Sequence, residues 1–475
     1  MKTKILMLIV FLLAIRTTDA QIMFQGHYGG NADDAGNSVL QAVDGGYIVA
    51  GRTMSYGNGS NDIYVLKTDA LGNESWSKTY GGIGWDAPLG VKKTYDNCYV
   101  IVGGTSSFGA GGSDAFLMKI DNDGDSLWFR TYGGSADDEG FGVDICEDSG
   151  YIISGATCSF ADAFAAAYLI RTNYHGDTLW TRIYEKKDFN GANSVIKTNE
   201  DGFLLVGVAE TGGAPGADGL TIKTNSVGDS MWMKTFGGSS YDEFYSICED
   251  NNGNYLMCGT TYNLVNGSYD IYVTKITVNG EMIWSRSFGG AGSDNSYSMI
   301  QTSDNNYVIA GSTESFGAGG KDVYLIKINS DGDTIWTRTF GGASDDWAKS
   351  IQETVDGGYI ISGYTHSFGG NYDVYLIKTD ANGFSGFEKI ISLRETLKVF
   401  PNPSNGLFRI QFQDIYNKNA EIEIYNLFGQ IVYKKYLPNQ TIDYYEVDIR
   451  NNPKGVYILS FKNRNSFKTC KIIIN

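Results

Sequence analysis

The stretch Asp121–Gly134, DNDGDSLWFRTYGG, decides the fold because it recurs along the chain at a fixed interval. Its Trp128 has counterparts in steps of 52 residues at Trp76, Trp180, Trp232, Trp284 and Trp336. The aromatic residue that closes the stretch recurs in the same phase at Tyr28, Tyr80, Tyr132, Tyr184, Phe236, Phe288 and Phe340. A constant interval of this length indicates an internal structural repeat, and the aromatic series gives seven units.

Each unit contains four strand signals joined by two tight turns. In the last full unit the first three signals are Ser350–Thr354, Tyr359–Gly363 and Asp373–Lys378, and the fourth occurs one unit earlier at Thr334–Phe340. Turns such as Asp356-Gly-Gly predict hairpins, because Asp and Gly favour side-chain-bonded turns and positive φ. Four antiparallel strands in each of seven units predict an all-β fold, a seven-bladed β-propeller.

The two ends of the repeat array predict how the ring closes. Phe24–Tyr28 is a fourth-strand sequence with no unit before it, whereas the final unit has a third strand at Asp373–Asp380 and no Trp after it. We therefore expect residues 22–28 to pair with that third strand and to complete the seventh blade. The alternative, an open solenoid, leaves both ends without partners.

Charge and the N-terminal residues limit the compartment and the partners. The net charge of −17 predicts repulsion from nucleic acid and from anionic membranes. Residues 1–20 have a basic start, an apolar run at Ile5–Ile15 and a small-residue cleavage site at Thr18–Ala20, which predicts a signal peptide. That run is too short to span a bilayer, so we expect a mature chain without a transmembrane segment.

The six cysteines fall at different repeat phases, which predicts small strand residues rather than a disulfide framework.

The repeat array, predicted at 21–383, is followed by a predicted linker at 384–396 and a different pattern at 397–475. Short alternating strands in this last region predict a small β-sandwich. The region contains a PNP motif, the hairpin sequence Tyr425–Gln430 and a basic-then-aliphatic end at Lys468–Ile474. Its motif residues are Pro401, Asn402, Pro403, Gly406, Gly455 and Tyr457.

These motifs resemble the sorting domain of the type IX secretion system of Bacteroidetes. The resemblance implies a partner, the type IX secretion machinery, and passage across the outer membrane to the cell surface or the medium. The repeats, through Tyr132–Asp138 and Asp148–Gly155, resemble a bacterial seven-bladed β-propeller repeat family. That second resemblance implies a fold and leaves the function open.

Two series of acidic residues occur in loops that share one face of a propeller. The first series is Asp34, Asp86, Asp138, Asn190, Asp242, Asp294 and Asp346. The second series is Asp62, Asp114, Asp218, Asp270, Asp322 and Asp373. A ring of carboxylates suggests Ca²⁺ or a cationic ligand, whereas one Asp in each blade favours hydrogen bonds to that blade's own amides.

Loop residues that differ between blades are the candidate ligand site. These candidates are the aromatic residues Trp85, Phe189, Tyr241 and Trp347 with the polar neighbours Asp86, Asn190, Asp242 and Asp346. Aromatic rings beside polar groups suit a glycan or a surface protein, and the alternative is that the loops pack on each other.

The residues that carry enzyme chemistry are few. The chain has three separate histidines and no G-x-S-x-G motif with suitable partners. The sequence therefore favours a non-catalytic, exported binding or adhesion protein without a cofactor. The alternative is a secreted polysaccharide-degrading enzyme, a glycoside hydrolase or lyase, which requires paired carboxylates at the mouth of the propeller.

Recurring tryptophans and basic residues are assigned structural roles. We expect Trp128 and its counterparts to be largely buried between blades. Fourth-strand cations predict a charged outer edge that resists edge pairing. Third-strand cations are also predicted to be structural. Both series have one member in nearly every unit: Lys78 is an example from the fourth strand and Lys67 an example from the third.

Overall fold

The computed structural model describes residues 22–162, 164–184, 190–210, 216–385, 398–411, 420–426, 430–437, 444–462 and 467–475. The chain divides into two compact units, Met1–Glu388 and Lys389–Asn475. The predicted signal peptide and most of the predicted linker lie outside the described residues. All regular elements in the described ranges are β-strands.

The first unit contains seven four-stranded sheets, which are the blades of the propeller. Strand β1 (Phe24–Tyr28) belongs to blade 7. Blade 1 consists of β2 (Asp34–Gln41), β3 (Tyr47–Thr53), β4 (Asp62–Thr68) and β5 (Glu74–Tyr80). Blade 2 consists of β6 (Asp86–Lys93), β7 (Tyr99–Thr105), β8 (Asp114–Ile120) and β9 (Ser126–Tyr132). Blade 3 consists of β10 (Asp138–Ile145), β11 (Tyr151–Thr157), β12 (Ala166–Thr172) and β13 (Thr178–Tyr184).

The remaining four blades have the same strand order. Blade 4 consists of β14 (Asn190–Thr198), β15 (Gly202–Glu210), β16 (Ala217–Asn225) and β17 (Ser230–Phe236). Blade 5 consists of β18 (Asp242–Glu249), β19 (Tyr255–Asn263), β20 (Ser268–Ile276) and β21 (Met282–Phe288). Blade 6 consists of β22 (Asp294–Gln301), β23 (Tyr307–Thr313), β24 (Asp322–Ile328) and β25 (Thr334–Phe340). Blade 7 consists of β26 (Asp346–Glu353), β27 (Tyr359–Thr365), β28 (Asp373–Thr379) and β1.

Closure of the ring by the N-terminal strand is confirmed. Strand β1 pairs antiparallel with β28, with Phe24 opposite Lys378 and Tyr28 opposite Val374. Tyr28 also donates a hydrogen bond to the carbonyl of Gly72 in blade 1, so the completed blade 7 is linked to its neighbour. The same tyrosine-to-glycine bond joins blade 1 to blade 2, blade 2 to blade 3 and blade 3 to blade 4.

The core lies within and between the blades, because the second and third strands are buried on both faces. The glycine at the end of each second strand allows close backbone approach: a Cβ on Gly51 would lie 1.8 Å from the carbonyl oxygen of Ala35. Beside this contact, the first strand of each blade has a β-bulge, as between Gly36 and Ser38.

The six repeat tryptophans lie between neighbouring blades, where the sequence places them, and each keeps part of its surface exposed. All six are half-buried, because they lie on the outermost strand of their blade. One edge of each indole is covered by the next blade, and a Cβ on Gly124 would lie 2.7 Å from the Trp76 ring. A cation covers the ring from its own strand, as Arg182 does over Trp180 at 5.2 Å.

The third-strand cations have the structural role that the sequence predicts. Each one forms an ion pair with a carboxylate in the first hairpin of its blade, at nitrogen-to-oxygen distances from 2.6 to 3.9 Å. Lys223 and Lys327 also donate to Tyr255 and Tyr359 of the following blade. These cations therefore hold a hairpin to its own sheet and that sheet to the next.

The second unit is a β-sandwich of two sheets. One sheet has the order β29 (Lys398–Phe400), β30 (Leu407–Gln411), β33 (Tyr444–Asp448). The other has the order β32 (Ile431–Leu437), β31 (Ala420–Asn426), β34 (Gly455–Lys462), β35 (Phe467–Ile474). Residues from both sheets, including Phe408, Val447, Ile424 and Leu459, form one buried core.

The sorting-motif residues hold the last strand of this sandwich in place. The Asn402 side chain donates to the carbonyl of Lys471 and accepts from the amide of Ile473. Gly406 has a φ of +97°, and a Cβ there would lie 2.8 Å from the Arg450 backbone. Tyr457 is buried and donates to the carbonyl of Pro453. Pro401 and Pro403 lie in the connection from β29 to β30, and Gly455 begins β34.

Candidate functional site

The first strands of all seven blades surround a central channel with a cavity of about 500 Å³. The loops between blades and the loops between second and third strands lie at one end of this channel, here called the loop face. The hairpins lie at the opposite end, here called the hairpin face. A cavity of this size can bury a small ligand or one part of a larger one.

The bulge in each first strand places one extra residue against the channel, near the loop face. These seven bulge residues are Asn37, Leu89, Phe141, Asn193, Tyr245, Tyr297 and Lys349. They differ from blade to blade, unlike most of the residues around them. Asn37 and Asn193 each donate to a backbone carbonyl of the following blade, so the asparagines stabilise the ring.

The acidic loop residues do not lie where a ligand reaches them, which corrects their assignment as ligand contacts. Asp86, Asn190, Asp242 and Asp346 are buried below the loop surface. Asp86 accepts hydrogen bonds from the Gly82 amide and from Ser107 and Thr105, all within its own blade or the loop leading into it. Asp242 and Asp346 accept the equivalent amide bonds from Gly238 and Gly342. They therefore hold the loops in shape.

The candidate aromatic residues Trp85, Phe189, Tyr241 and Trp347 do not form one continuous group of contacts among the described residues. Tyr241 precedes the first strand of blade 5, and Trp347 lies in the first strand of blade 7. Trp85 precedes the first strand of blade 2 and lies beside Asp137 and Glu139 of blade 3. Each of these three is partly exposed. Phe189 lies outside the described residues.

Six side chains from blades 5, 6 and 7 form a continuous group at the channel mouth, here called the aromatic–lysine cluster. Its members are Tyr245, Tyr297, Lys349, Trp347, Tyr364 and Tyr372, and all six are partly exposed. The rings of Tyr245 and Tyr297 are 5.4 Å apart, and Lys349 Nζ lies 3.4 Å from the centre of the Tyr297 ring.

The cluster continues from Lys349 across blade 7. The same ammonium lies 5.7 Å from the Tyr364 ring, which packs against Trp347 at 4.7 Å. Tyr372 contacts both of these rings, at 5.6 and 5.7 Å. Trp347 and Tyr364 face each other across the β26–β27 pair, so the sheet register sets their contact.

The electrostatics of Lys349 are unusual for a lysine. Burial, followed by repulsion from Arg52 and Lys321, lowers its pKa to about 8. Among the described residues, no carboxylate lies within the 4.0 Å ion-pair distance of its Nζ. Its charge is stabilised by the faces of aromatic rings instead.

Glu243 holds the blade 5 side of the cluster in position. It is 8% exposed and accepts hydrogen bonds from Tyr241, Tyr245 and Asn193. Burial and the Glu243 charge raise the pKa of Tyr245 and keep its hydroxyl protonated. Tyr241 is thus linked to the cluster through Glu243, although its own hydroxyl points to that carboxylate.

Trp85 belongs to a second, shallower depression on the loop face. Its ring and the Glu139 side chain meet above Gly104, where an added Cβ would lie 2.9 Å from Trp85 and 3.4 Å from Glu139 Cγ. Asp137 lines the same open cavity of about 520 Å³. Burial, followed by repulsion from Asp137, raises the pKa of Glu139.

Sequence reasoning missed the bulge residues and Tyr364. A signal was present, because Tyr245, Tyr297 and Lys349 all occur three residues after the loop Asp or its equivalent, in a phase that varies between units. Their direction depends on the bulge, because one extra residue decides which side chain faces the channel.

No group of three or more His, Cys, Asp or Glu side chains in the described ranges is arranged to hold a metal ion. In those same ranges, no helix combines the length and apolar character needed to cross a membrane.

Two family models match parts of the chain. Residues 398–475 match the secretion system C-terminal sorting domain, and residues 302–334 match a domain of unknown function described as a beta-propeller. A comparison with curated proteins finds no match.

Solved structures with propeller folds are similar at low identity. The extracellular domain of a one-component system from B. thetaiotaomicron is 13% identical, with a TM-score of 0.44, and the match covers 95% of this chain and 59% of that one. PorZ, a surface component of the type-IX secretion system of Porphyromonas gingivalis, is 12% identical, with a TM-score of 0.24 and coverage of 95% and 75%. An α-L-arabinanase from Penicillium chrysogenum is 10% identical, with a TM-score of 0.42 and coverage of 76% and 97%. At these TM-scores the similarities carry no argument about function.

The two family matches and the seven four-stranded sheets agree on the organisation of the molecule. The chain is an exported β-propeller protein whose C-terminal sorting domain directs it through type IX secretion to the cell surface or the extracellular space.

Proposed function

We propose that the propeller is a non-catalytic binding or adhesion module that holds a glycan on the loop face, at the aromatic–lysine cluster. The observation that carries this proposal is the continuous group of partly exposed, mutually contacting aromatic rings in blades 5, 6 and 7. The fold alone does not require them, because the equivalent positions in blade 1 are occupied by Ala35, Asn37 and Arg52.

The cluster has the properties of a binding surface for sugars. Its rings are held rigidly by strand register and by Glu243, so little conformational freedom is lost on binding. The rings offer apolar faces, and the phenol hydroxyls and the ammonium offer hydrogen bonds at their edges. Tyr241 belongs to this proposal as a support for Tyr245 through Glu243. The polar candidates Asp86, Asn190, Asp242 and Asp346 are not ligand contacts in this proposal and only support the loops.

The test is a glycan array probed with the mature protein and two variants. Trp347→Ala removes a ring from the cluster, and Tyr95→Ala removes an exposed aromatic from the first hairpin of blade 2, on the hairpin face. We expect Trp347→Ala to weaken binding about 3- to 10-fold, as for the loss of one aromatic contact, and Tyr95→Ala to leave it unchanged. Equal binding by the parent protein and Trp347→Ala, with both folded by thermal melting, would reject this site.

A second candidate function is polysaccharide cleavage in the depression beside Trp85. Glu139 favours it, because a half-buried carboxyl with a raised pKa suits a general acid, and Asp137 is a second carboxylate nearby. Glu243 does not suit this role, because its oxygens already accept three hydrogen bonds.

The second candidate is tested by measuring new reducing ends from polysaccharides. Cleavage by the parent protein that is lost in Glu139→Gln would establish an enzyme, and we expect no cleavage by either protein. Asp123→Asn, in an exposed turn of blade 2, is the matched control for the loss of one carboxylate.

A further inference from the structure

We propose that the channel mouth selects a sugar that carries a carboxylate, a uronate unit of an acidic polysaccharide, and that Lys349 binds this carboxylate. This inference rests on the proposed function, because it names the class of ligand for the same mouth.

Among the described residues, Lys349 lacks the carboxylate partner that the third-strand cations of this propeller have. All seven third-strand cations form an ion pair with a hairpin carboxylate. In the described part of the chain, the Lys349 ammonium forms no ion pair, and its contacts are cation–π contacts with the rings of Tyr297 and Tyr364. A recessed charge without a counter-ion lowers stability, and such groups are concentrated at functional sites.

Two further cations lie near Lys349, and no carboxylate forms an ion pair with it among the described residues. Arg52 of blade 1 and Lys321 of blade 6 are the cations that act on it. The carboxylates of this region, Glu243 and Asp345, keep their charge, but neither lies within ion-pair distance of Lys349. Their oxygens accept hydrogen bonds from neutral donors: two tyrosines and Asn193 for Glu243, and the Lys321 amide for Asp345. Lys321 is itself 3.4 Å from Glu314, so Lys349 and Arg52 are the cations left to attract an anion.

The overall charge of −17 does not oppose this inference. At physiological salt, charges more than about 8 Å away are largely screened. Local cations at the mouth therefore decide whether a carboxylate binds there. A charge-assisted hydrogen bond in a recessed site is also stronger than one on an open surface.

The rings around Lys349 suit a sugar acid better than an acidic peptide. A uronate joins a carboxylate to a rigid ring with an apolar face, which matches an ammonium placed among Tyr297, Tyr364 and Trp347. An Asp or Glu side chain has the carboxylate but no ring to pack against these aromatic residues. The cavity of about 500 Å³ accommodates a short stretch of such a polysaccharide.

The experiment measures the affinity of the mature protein for three probes: an oligogalacturonate, the same oligosaccharide with its carboxyl groups reduced to alcohols, and a poly-glutamate peptide. The variants are Lys349→Met, which keeps the length of the side chain, and Lys349→Arg, which keeps the charge. Lys93→Met, exposed at the other end of the same channel, is the matched control for the loss of one positive charge.

We expect the parent protein to prefer the acidic oligosaccharide over the reduced one by about 10- to 100-fold. Lys349→Met should lose that preference, while Lys349→Arg and Lys93→Met should retain it. Equal affinity for the acidic and reduced probes in the parent protein would overturn the inference, as would stronger binding of poly-glutamate that depends on Lys349. If Trp347→Ala still weakens binding to the reduced probe, the proposed function stands although this inference fails. If neither substitution changes any binding, both fail.

Discussion

Asp346 and Trp347 are adjacent residues with opposite roles. The Asp346 carboxylate is buried and accepts bonds from Gly342 and Ser367, as its equivalents do in other blades. The Trp347 ring is partly exposed and packs against Tyr364. At the scale of single residues, recurring side chains thus stabilise the blade and varying side chains form the mouth.

A residue-scale prediction concerns Lys275 and Asp250, a pair with only 8% and 2% of the side chains exposed. Asp250→Asn should lower the free energy of unfolding by about 3–5 kcal/mol, because it leaves a buried ammonium without its counter-ion. Asp125→Asn breaks the exposed pair with Lys78 and should cost about 1 kcal/mol or less. Urea denaturation measures both, and equal losses would contradict the assigned role of the buried pair.

A second residue-scale prediction concerns pH and depends on the proposed uronate site. Lys349 binds an anion only when protonated, and its pKa is lowered to about 8. Affinity for oligogalacturonate should therefore be nearly constant from about pH 5, where the uronate is ionised, to about pH 7, and should fall by up to about tenfold per pH unit above pH 8. Burial raises the pKa of Tyr297 and Tyr364, so the phenols stay neutral across this window.

The control for this pH dependence is Lys349→Arg, because arginine stays charged well above pH 10. Its affinity should show no decline between pH 8 and pH 10. A decline of the same size in Lys349→Arg would assign the titration to another group.

At the scale of elements, the sequence was sufficient to predict the strand order and the closing strand. The constant interval, the turn residues and the unmatched Phe24–Tyr28 segment fixed these features, because each depends on local pattern. The bulge is different, because it lies where the first strand closely approaches Gly51 or its equivalent, and this contact between strands is not part of the local pattern. Since the bulge sets which residue faces the channel, Lys349 and Tyr297 could not be assigned from the sequence.

The misassigned residues follow from the same limit. For the acidic series the sequence favours hydrogen bonds within each blade, and Asp86 makes them; its separate assignment as a ligand contact rested only on its position beside Trp85. The repeat tryptophans lie on outer strands, where only one neighbouring blade covers them, so each keeps an exposed edge that periodicity alone does not show.

An element-scale prediction concerns β1. Deleting residues 21–30 should lower the melting temperature sharply, because blade 7 loses its outer strand and the Tyr28 bond to Gly72 is lost. Phe24→Ala should lower the melting temperature less, because it removes one buried ring and keeps the strand. We expect it to reduce the free energy of unfolding by about 3–5 kcal/mol. An unchanged melting temperature after the deletion would reject closure by β1.

At the scale of the whole molecule, binding and export are assigned to separate compact units. The sandwich has its own core, and the propeller has separate clusters between blades. Removing residues 398–475 should therefore abolish appearance outside the cell and leave the melting temperature of the propeller within about 2 °C of its value in the full chain.

Cell fractionation and thermal melting of the truncated chain check this prediction. A matched control is Arg409→Gln, which breaks an exposed pair with Glu446 in the sandwich and should leave export intact. Normal export of the truncated chain would contradict the role of the sorting domain.

The most direct test of the central claim is a crystal structure of the mature protein with the tightest-binding glycan from the array. We expect the sugar to occupy the loop-face mouth, with a ring against Tyr297 or Trp347 and a carboxylate within hydrogen-bond distance of Lys349 Nζ. A sugar bound beside Trp85 and Glu139, or on the hairpin face, would contradict it.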